Sequence, residues 1–154
     1  MGKTAVAPKK VVKKVATKDP PKQAGKEFVI SIRLSSGQDW DRPLHMREVG
    51  RIMRDSALNV SVWSHVVDMS VKTIEKRIAT NAILEDMRAE RVKLVQQLVE
   101  RSREVYGDKG KADRWMLRPS AYLGNKAPVE KLGSMAGIAE VMTELERIDA
   151  SAFA

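Results

Sequence analysis

The spacing of apolar residues by three or four positions, repeated along the chain after Arg42, constrains the fold more than any other feature. Such spacing puts the apolar side chains on one face of an α-helix, whereas a half-buried strand needs strict alternation. The apolar segments are bounded by residues that start or stop helices, among them Pro43, Gly107 and Pro128. The sequence therefore predicts a mainly all-α fold, with one short strand near residues 27–34.

That strand is the segment E-F-V-I-S-I-R-L, in which Phe28, Ile30 and Ile32 alternate with their neighbours. A single strand is not stable by itself and needs a partner. No other segment alternates as well, so pairing with a second copy of the chain and packing on a helix both remain open.

The positive charge of the chain is concentrated at its N-terminus. Residues 1–26 contain eight lysines and one aspartate, which accounts for most of the formal net charge of +8. This segment has few large apolar side chains, so we expect a disordered Lys-rich tail. It is either an arm that seeks DNA phosphates or a solubilising linker.

Composition and motifs exclude several classes of protein. The chain of 154 residues is long enough for about one core, and it has no cysteine for disulfides or thiolate chemistry. No apolar run is long enough for a membrane-spanning helix and no secretory signal is evident, so we expect a cytoplasmic protein. The phosphate-binding, zinc-protease and serine-hydrolase motifs are absent, and His45 and His65 lie on different predicted helices. We therefore predict a protein that is not an enzyme and that uses no metal and no cofactor.

Two short predicted helices, separated by about three residues, have the shape of a helix-turn-helix. A first helix is expected from Pro43 to about Ser56, a second is capped by Asn59 or Ser61, and a third is capped by Ser70. The outward face of the third helix would carry the DNA contacts, namely Lys72, Thr73, Lys76 and Arg77. The alternative is that these residues form an ordinary solvated face.

A long helix is predicted from about Leu84 to Tyr106, followed by a glycine stop at Gly107 and a new helix start at Asp108. Its broad apolar stripe fits either core packing or a homodimer contact. The last helix is expected to begin at Ser134 and to end at about Ile148. Inside it, Gly137 costs helix stability unless close packing compensates.

The segment W-M-L-R-P-S-A-Y-L-G-N-K-A-P-V-E-K-L from Trp115 to Leu132, with the apolar tail that ends the chain, resembles the C-terminal toxin-binding domain of the Xre/MbcA/ParS antitoxins. With the region before it, the resemblance covers roughly residues 43–154. Composition separates the disordered Lys-rich tail 1–26, and the resemblance divides the rest into an Xre-like helix-turn-helix and dimerisation region 27–106 and a small helical toxin-binding domain 107–154.

The resemblance implies a function as well. Antitoxins of this family neutralise RES-domain toxins that degrade NAD or transfer ADP-ribose, by inserting their C-terminal segment into the active-site cleft. The residues that carry over as the plug are Arg147, Ile148, Asp149, Ser151 and Phe153. Those that shape the domain presenting it are Trp115, Leu123, Gly124, Pro128 and Leu132.

The expected partners are thus a RES-domain toxin, operator DNA through which the operon is autorepressed, and at least one further copy of the chain, with no membrane. From the residues alone, Phe153 either anchors in a partner's pocket or folds back on its own domain, and the resemblance favours the first. The alternative function is a stand-alone helix-turn-helix transcriptional regulator.

Overall fold

A computed structural model describes residues 41–152, which form seven α-helices and one 3₁₀ turn. The helices are α1 (Met46–Asp55), α2 (Val60–Val67), α3 (Val71–Thr80), α4 (Asp86–Tyr106), α5 (Lys109–Leu117), α6 (Pro128–Lys131) and α7 (Met135–Ala152), with the 3₁₀ turn at Ala121–Leu123. The prediction of a mainly all-α fold is confirmed. The predicted strand at 27–34 and the Lys-rich segment 1–26 lie outside the described residues.

The entry into α1 differs from the prediction that a helix begins at Pro43. The backbone N–H of Met46 donates to the carbonyl of Ala82 at 2.9 Å, and the N–H of Leu84 donates to the carbonyl of Leu44 at 2.8 Å. This pairing forms an isolated antiparallel bridge and holds the residues before α1 extended. The helix therefore starts three residues later than Pro43, at Met46.

Helices α2 and α3 follow the predicted boundaries. The Asn59 side chain accepts a hydrogen bond from the N–H of Val62, and the Ser70 side chain accepts one from the N–H of Thr73. Such caps satisfy backbone donors that a helix start leaves without partners. The turn between the helices lacks glycine, and Asp68 takes the left-handed conformation there, with φ of 50°. Aspartate tolerates this region better than most residues.

Helix α4 is the central element, because it packs against α2, α5 and α7. Its buried face contains Ala89, Val92, Val95, Leu98, Val99 and Ser102. The spacing of apolar residues by three or four positions predicts that Met87 belongs to the buried stripe, but this residue is 68% exposed. The stripe is rotated because α4 packs through its valines against Trp63 and the other buried residues of the same core.

The end of α4 and the starts of α5 and α6 lie where local signals predicted. Gly107 ends α4 in the left-handed conformation, with φ of 61°, and the Asp108 side chain caps α5 by accepting from the N–H of Lys111. Pro128 is the first residue of α6, and Glu130 accepts a hydrogen bond from the N–H of Ala127 at 2.6 Å. These interactions fix the loops between the last three helices.

Gly137 allows α7 to pack closely on the end of α6. A Cβ atom added at Gly137 would lie 2.1 Å from the carbonyl oxygen of Lys131, which is far inside van der Waals contact. The Ser134 side chain accepts from the N–H of Gly137 at 3.1 Å, which confirms Ser134 as the cap of α7. The helix continues to Ala152, beyond the predicted end near Ile148. No glycine or proline interrupts D-A-S-A, so no residue there stops the helix.

One continuous cluster of buried residues joins both halves of the described chain. It includes Leu44 and Trp63 near its N-terminal side, Leu98 in α4, and Leu132 and Leu145 on its C-terminal side. The predicted division at residue 106 therefore does not coincide with a gap in the core, and it stays a prediction about function. Within residues 41–152, no helix combines the length and the apolar character that crossing a membrane requires.

Candidate functional site

The last two turns of α7 contain four of the predicted plug residues. Arg147 and Ser151 are exposed, whereas Ile148 and Asp149 are half-buried. The Asp149 carboxylate accepts a hydrogen bond from the Arg101 guanidinium of α4, at 2.5 Å. The segment is thus helical through Ala152 and is braced against α4. The fifth plug residue, Phe153, lies outside the described residues.

Arg147 is fixed by a buried carboxylate. Its Nε and Nη2 atoms donate to the two oxygens of Glu144 at 2.9 and 3.0 Å, and the Glu144 residue is only 5% exposed. The same carboxylate accepts from the Ser120 hydroxyl at 3.1 Å. The hydrogen bond to Glu144 raises the pKa of Arg147 above its usual value. A two-point guanidinium–carboxylate pair of this kind has a defined geometry.

Arg147 also contacts the aromatic ring of Tyr122, a residue that was not among the predicted site residues. The guanidinium carbon of Arg147 lies 3.6 Å from the centre of the Tyr122 ring, a cation–π contact. Tyr122 is nevertheless 69% exposed, in the turn between α5 and α6. A tyrosine among the turn residues of P-S-A-Y-L-G-N is a signal that could have suggested an exposed aromatic side chain.

Of the residues predicted to shape the domain, some are buried in the core and one is exposed in a turn. Leu123, Pro128 and Leu132 are buried, so they support the fold and do not face solvent. Gly124 is exposed and takes the left-handed conformation, with φ of 68°, which ends the 3₁₀ turn. The three buried residues hold the 3₁₀ turn that contains Tyr122, and the start of α6, against the core.

Trp115 is half-buried and packs against the core rather than lying fully within it. Its ring centroid lies 5.8 Å from that of Tyr106, with the two planes tilted by 38°. Burial raises the pKa of the Tyr106 hydroxyl, the Glu144 charge raises it further, and the Arg118 charge opposes the shift. Glu144 and Arg118 are therefore both within electrostatic range of Tyr106.

The predicted DNA-binding residues lie on α3 in two different states. Lys72 and Lys76 are exposed and have no carboxylate partner in the described part of the chain. Thr73 shares a hydrogen bond with the Ser70 hydroxyl at 2.8 Å, within the helix cap. Arg77 is half-buried, and its guanidinium lies 3.7 Å from the Glu85 carboxylate.

The neighbouring helix α1 adds basic residues that the sequence analysis left out. Helix α1 packs on α3. At their contact, a Cβ atom added to Gly50 would lie 3.3 Å from the Cδ1 atom of Ile78. Arg47, Arg51 and Arg54 are exposed along α1 at intervals of four and three residues. That spacing, which places residues on one helix face, was visible in the sequence.

The two histidines lie on different parts of the described chain and are not grouped with other residues that could bind a metal ion. His45 lies beside the bridge before α1, with its Nδ1 atom 3.5 Å from the carbonyl of Asn81, and His65 is exposed on α2. Among residues 41–152, no three side chains of His, Cys, Asp or Glu are grouped so that they could hold a metal ion.

Comparisons with known proteins agree with the resemblance read from the sequence. Residues 94–150 match the family described as the antitoxin Xre/MbcA/ParS C-terminal toxin-binding domain. The fold is similar to a chain in the crystal structure of the M. tuberculosis MbcT–MbcA toxin–antitoxin complex, with a TM-score of 0.55 and 16% identity. That similarity covers 71% of this chain and 96% of the matched chain. The comparison with curated proteins gives no match. The segment 94–150 thus matches the Xre/MbcA/ParS C-terminal toxin-binding domain, and the fold of the chain is similar to that of a chain in a toxin–antitoxin complex.

Proposed function

We propose that this protein is an antitoxin, that it neutralises a RES-domain toxin that uses NAD, and that its C-terminal segment occludes the active-site cleft of the toxin. The toxin would degrade NAD or transfer ADP-ribose from it, and the bound segment would keep NAD away from the catalytic groups. On this proposal the antitoxin acts by steric exclusion and contributes no catalytic step.

The observation that supports the proposal most directly is that the end of α7 is helical and exposed and consists of small residues. The helix projects Ala150, Ser151 and Ala152 as exposed small residues, while the preceding turn is braced by Glu144 and Arg101. A slender, pre-ordered segment loses little conformational entropy when it enters a cleft. Residues 94–150 match a domain family that is described as toxin-binding, and this segment includes most of α7. The match therefore supports α7 as part of the surface that contacts the toxin.

A truncation tests this proposal. Removing Ala150–Ala154 leaves the Arg147–Glu144 and Arg101–Asp149 contacts in place, so we expect unchanged helicity and thermal stability. Neutralisation should be lost, measured as growth and cellular NAD when the antitoxin is co-expressed with the protein encoded in the adjacent reading frame.

The matched control removes five residues within the segment 1–26, which should leave neutralisation intact. Full protection by the C-terminally truncated chain would refute the plug. A wild-type chain that forms no complex with the adjacent gene product would refute the choice of partner.

We further propose that α3 binds operator DNA, so that the antitoxin also autorepresses its operon. The specific observation is that Lys72 and Lys76 are exposed and have no carboxylate partner among the described residues. The helix that packs against α3, α1, carries three further exposed arginines. Free cations of this kind attract phosphates at low cost. A homodimer would let two copies of α3 reach two half-sites.

Salt titration of promoter binding tests the DNA proposal. Replacing Lys72 and Lys76 by alanine should lower the slope of log affinity against log salt by about one for each lost phosphate contact. Lys111→Ala, which removes an exposed lysine of α5, is the control and should leave the slope unchanged.

A stand-alone regulator predicts promoter binding with no toxic partner, whereas an antitoxin predicts a co-purifying toxin. Equal slopes for the wild type and the double variant would refute the role of α3. The mass of the free chain in solution tests the proposed dimer.

A further inference from the structure

We infer that the Tyr122 ring is a contact point for the toxin, and that it enters an apolar pocket bordered by carboxylates on the toxin surface. This inference rests on the proposed function, because it assigns a second contact beside the α7 end. Three properties of Tyr122 carry it: its exposure, the way in which it is held, and its position beside the proposed plug.

Tyr122 presents a large aromatic side chain to solvent. The residue is 69% exposed, although the neighbouring Leu123 is buried and anchors the same 3₁₀ turn. The turn itself is closed by two hydrogen bonds to Ser120, whose N–H donates to the Lys126 carbonyl and whose carbonyl accepts from the N–H of Asn125. An aromatic side chain on a closed turn is presented to solvent in a fixed place.

The Tyr122 ring is held by a contact on its face, in addition to the hydrogen bonds that fix the backbone of its turn. The Arg147 guanidinium lies over the ring at 3.6 Å and is itself fixed by two hydrogen bonds to buried Glu144. Glu144 also accepts from the Ser120 hydroxyl, so one carboxylate joins the Tyr122 turn to α7. Because these bonds exist in the free antitoxin, the ring and the guanidinium need little further ordering on binding.

The position of Tyr122 makes its surface continuous with the proposed plug. Arg147 and Ser151 are four residues apart on α7 and therefore share one helix face. Tyr122 contacts the first of them, so the ring lies about one helical turn before the exposed end of α7. A partner that receives the α7 end would meet Tyr122 at the rim of its cleft. Tyrosine is among the residues that most often dominate protein–protein binding energy.

The surrounding charge indicates the chemistry of the partner. Five exposed basic side chains on α5 and the following turn have no carboxylate partner in the described part of the chain: Lys109, Lys111, Arg114, Arg118 and Lys126. Arg118 and Glu144 both act on Tyr106, which places Arg118 close to the same network. A protein surface with carboxylates around an apolar pocket complements this arrangement.

A nucleic acid is the other partner that basic and aromatic residues can bind. Single-stranded nucleic acids stack successive bases on open aromatic faces. Arg147 already covers one face of the Tyr122 ring, and the other described aromatic side chains nearby, Tyr106 and Trp115, are half-buried against each other. The surface therefore fits insertion of one ring edge into a protein pocket better than stacking of several bases.

The test uses the full chain and the purified toxin encoded in the adjacent reading frame. We expect Tyr122→Ala to weaken toxin binding by about 30-fold or more, the range of a dominant interface residue. Tyr122→Phe keeps the ring and the contact with Arg147 and should bind within a few-fold of wild type. Neither variant should change the thermal unfolding midpoint by more than a small amount, since Tyr122 is exposed.

Met87→Ala is the matched control, because Met87 is equally exposed and lies far from this surface. It is 14 residues before Arg101, the partner of Asp149, and thus about 21 Å away along α4. Charge reversal by Arg118→Glu should slow association with the toxin, and this effect should fade as salt is added.

Three results would overturn the inference: wild-type affinity in Tyr122→Ala, an equal loss in Met87→Ala, or a loss of promoter binding without a loss of toxin binding. The proposed function fails differently. Its failure is a wild-type chain that does not bind the toxin, or an α7 truncation that still neutralises it. If the truncation abolishes neutralisation while Tyr122→Ala binds normally, only the inference about Tyr122 is lost.

Discussion

The exposed lysines of α3 and the charged residues near the end of α7 are held in opposite ways. On α3, Lys72 and Lys76 project from the surface with no partner among the described residues. On α7, Arg147 is bound to Glu144 and Asp149 to Arg101. Free cations attract distant anions and are weakened by salt, whereas braced groups offer a fixed shape at close range. One chain thus presents an electrostatic surface on α3 and a shape-specific surface at the end of α7.

The largest expected effect tests whether α3 and α7 belong to one cooperative unit. Trp63→Ala should lower the free energy of unfolding by about 3–5 kcal/mol, because the side chain is fully buried. Its indole N–H also donates to the Ser56 hydroxyl at 3.1 Å, and that bond would be lost. Denaturant unfolding should be followed by circular dichroism and by tryptophan fluorescence in a Trp40→Phe background, in which replacing Trp63 leaves Trp115 as the one tryptophan.

If the two halves form one unit, both probes will report the same, shifted transition. Trp63→Phe restores most of the buried volume and is the control, with a smaller loss. A Trp115 signal that keeps its wild-type midpoint in Trp63→Ala would show that the C-terminal helices unfold independently, and the comparison of α3 with α7 would become one between two domains.

An intermediate effect tests how firmly α7 is seated. Gly137→Ala should destabilise the protein by about 1–3 kcal/mol, because the new methyl group would overlap the Lys131 carbonyl. Alanine is otherwise the better helix former by about 1 kcal/mol. Gly133→Ala is the matched control, since its new Cβ atom would find only ordinary contacts at 3.7 Å. A stabilised Gly137→Ala variant would mean that α7 is not held against α6.

The smallest expected effect addresses the charges themselves. Asp149→Asn removes half of a partly exposed ion pair with Arg101, so we expect a loss of at most about 1 kcal/mol. Lys76→Gln removes a charge that has no such partner, so its effect on stability should be close to zero. Thermal unfolding at low and at high salt measures both. An equal response of the two variants would erase the distinction between braced and free charges.

Local signals were enough to predict most helix boundaries. Asn59, Ser70, Asp108 and Ser134 cap helices as expected, and Gly107 ends α4, because capping depends on neighbours within a few residues. The close packing at Gly137 was also predictable, since a glycine inside a helix needs a compensating contact.

Features that depend on distant residues were missed. The start of α1 was placed at Pro43, whereas pairing with residues 82–84 delays it to Met46. The buried face of α4 is set by three other helices, which left Met87 outside it. For the site, the end of α7 was anticipated, but Tyr122 was not. Its contact with Arg147 joins positions 25 residues apart, and periodicity carries no information about such a pair.

Helix α4 sets a condition on any attempt to work alone with the segment that matches the toxin-binding domain family. The family match begins at residue 94, in the middle of α4, after Ala89 and Val92 have already contributed to the core. A fragment cut at that point would lose the first two turns of its longest helix and would expose Val95 and Leu98 to water. Chimeras that exchange this module between proteins that match the same family should therefore be joined before Asp86, with α4 transferred whole.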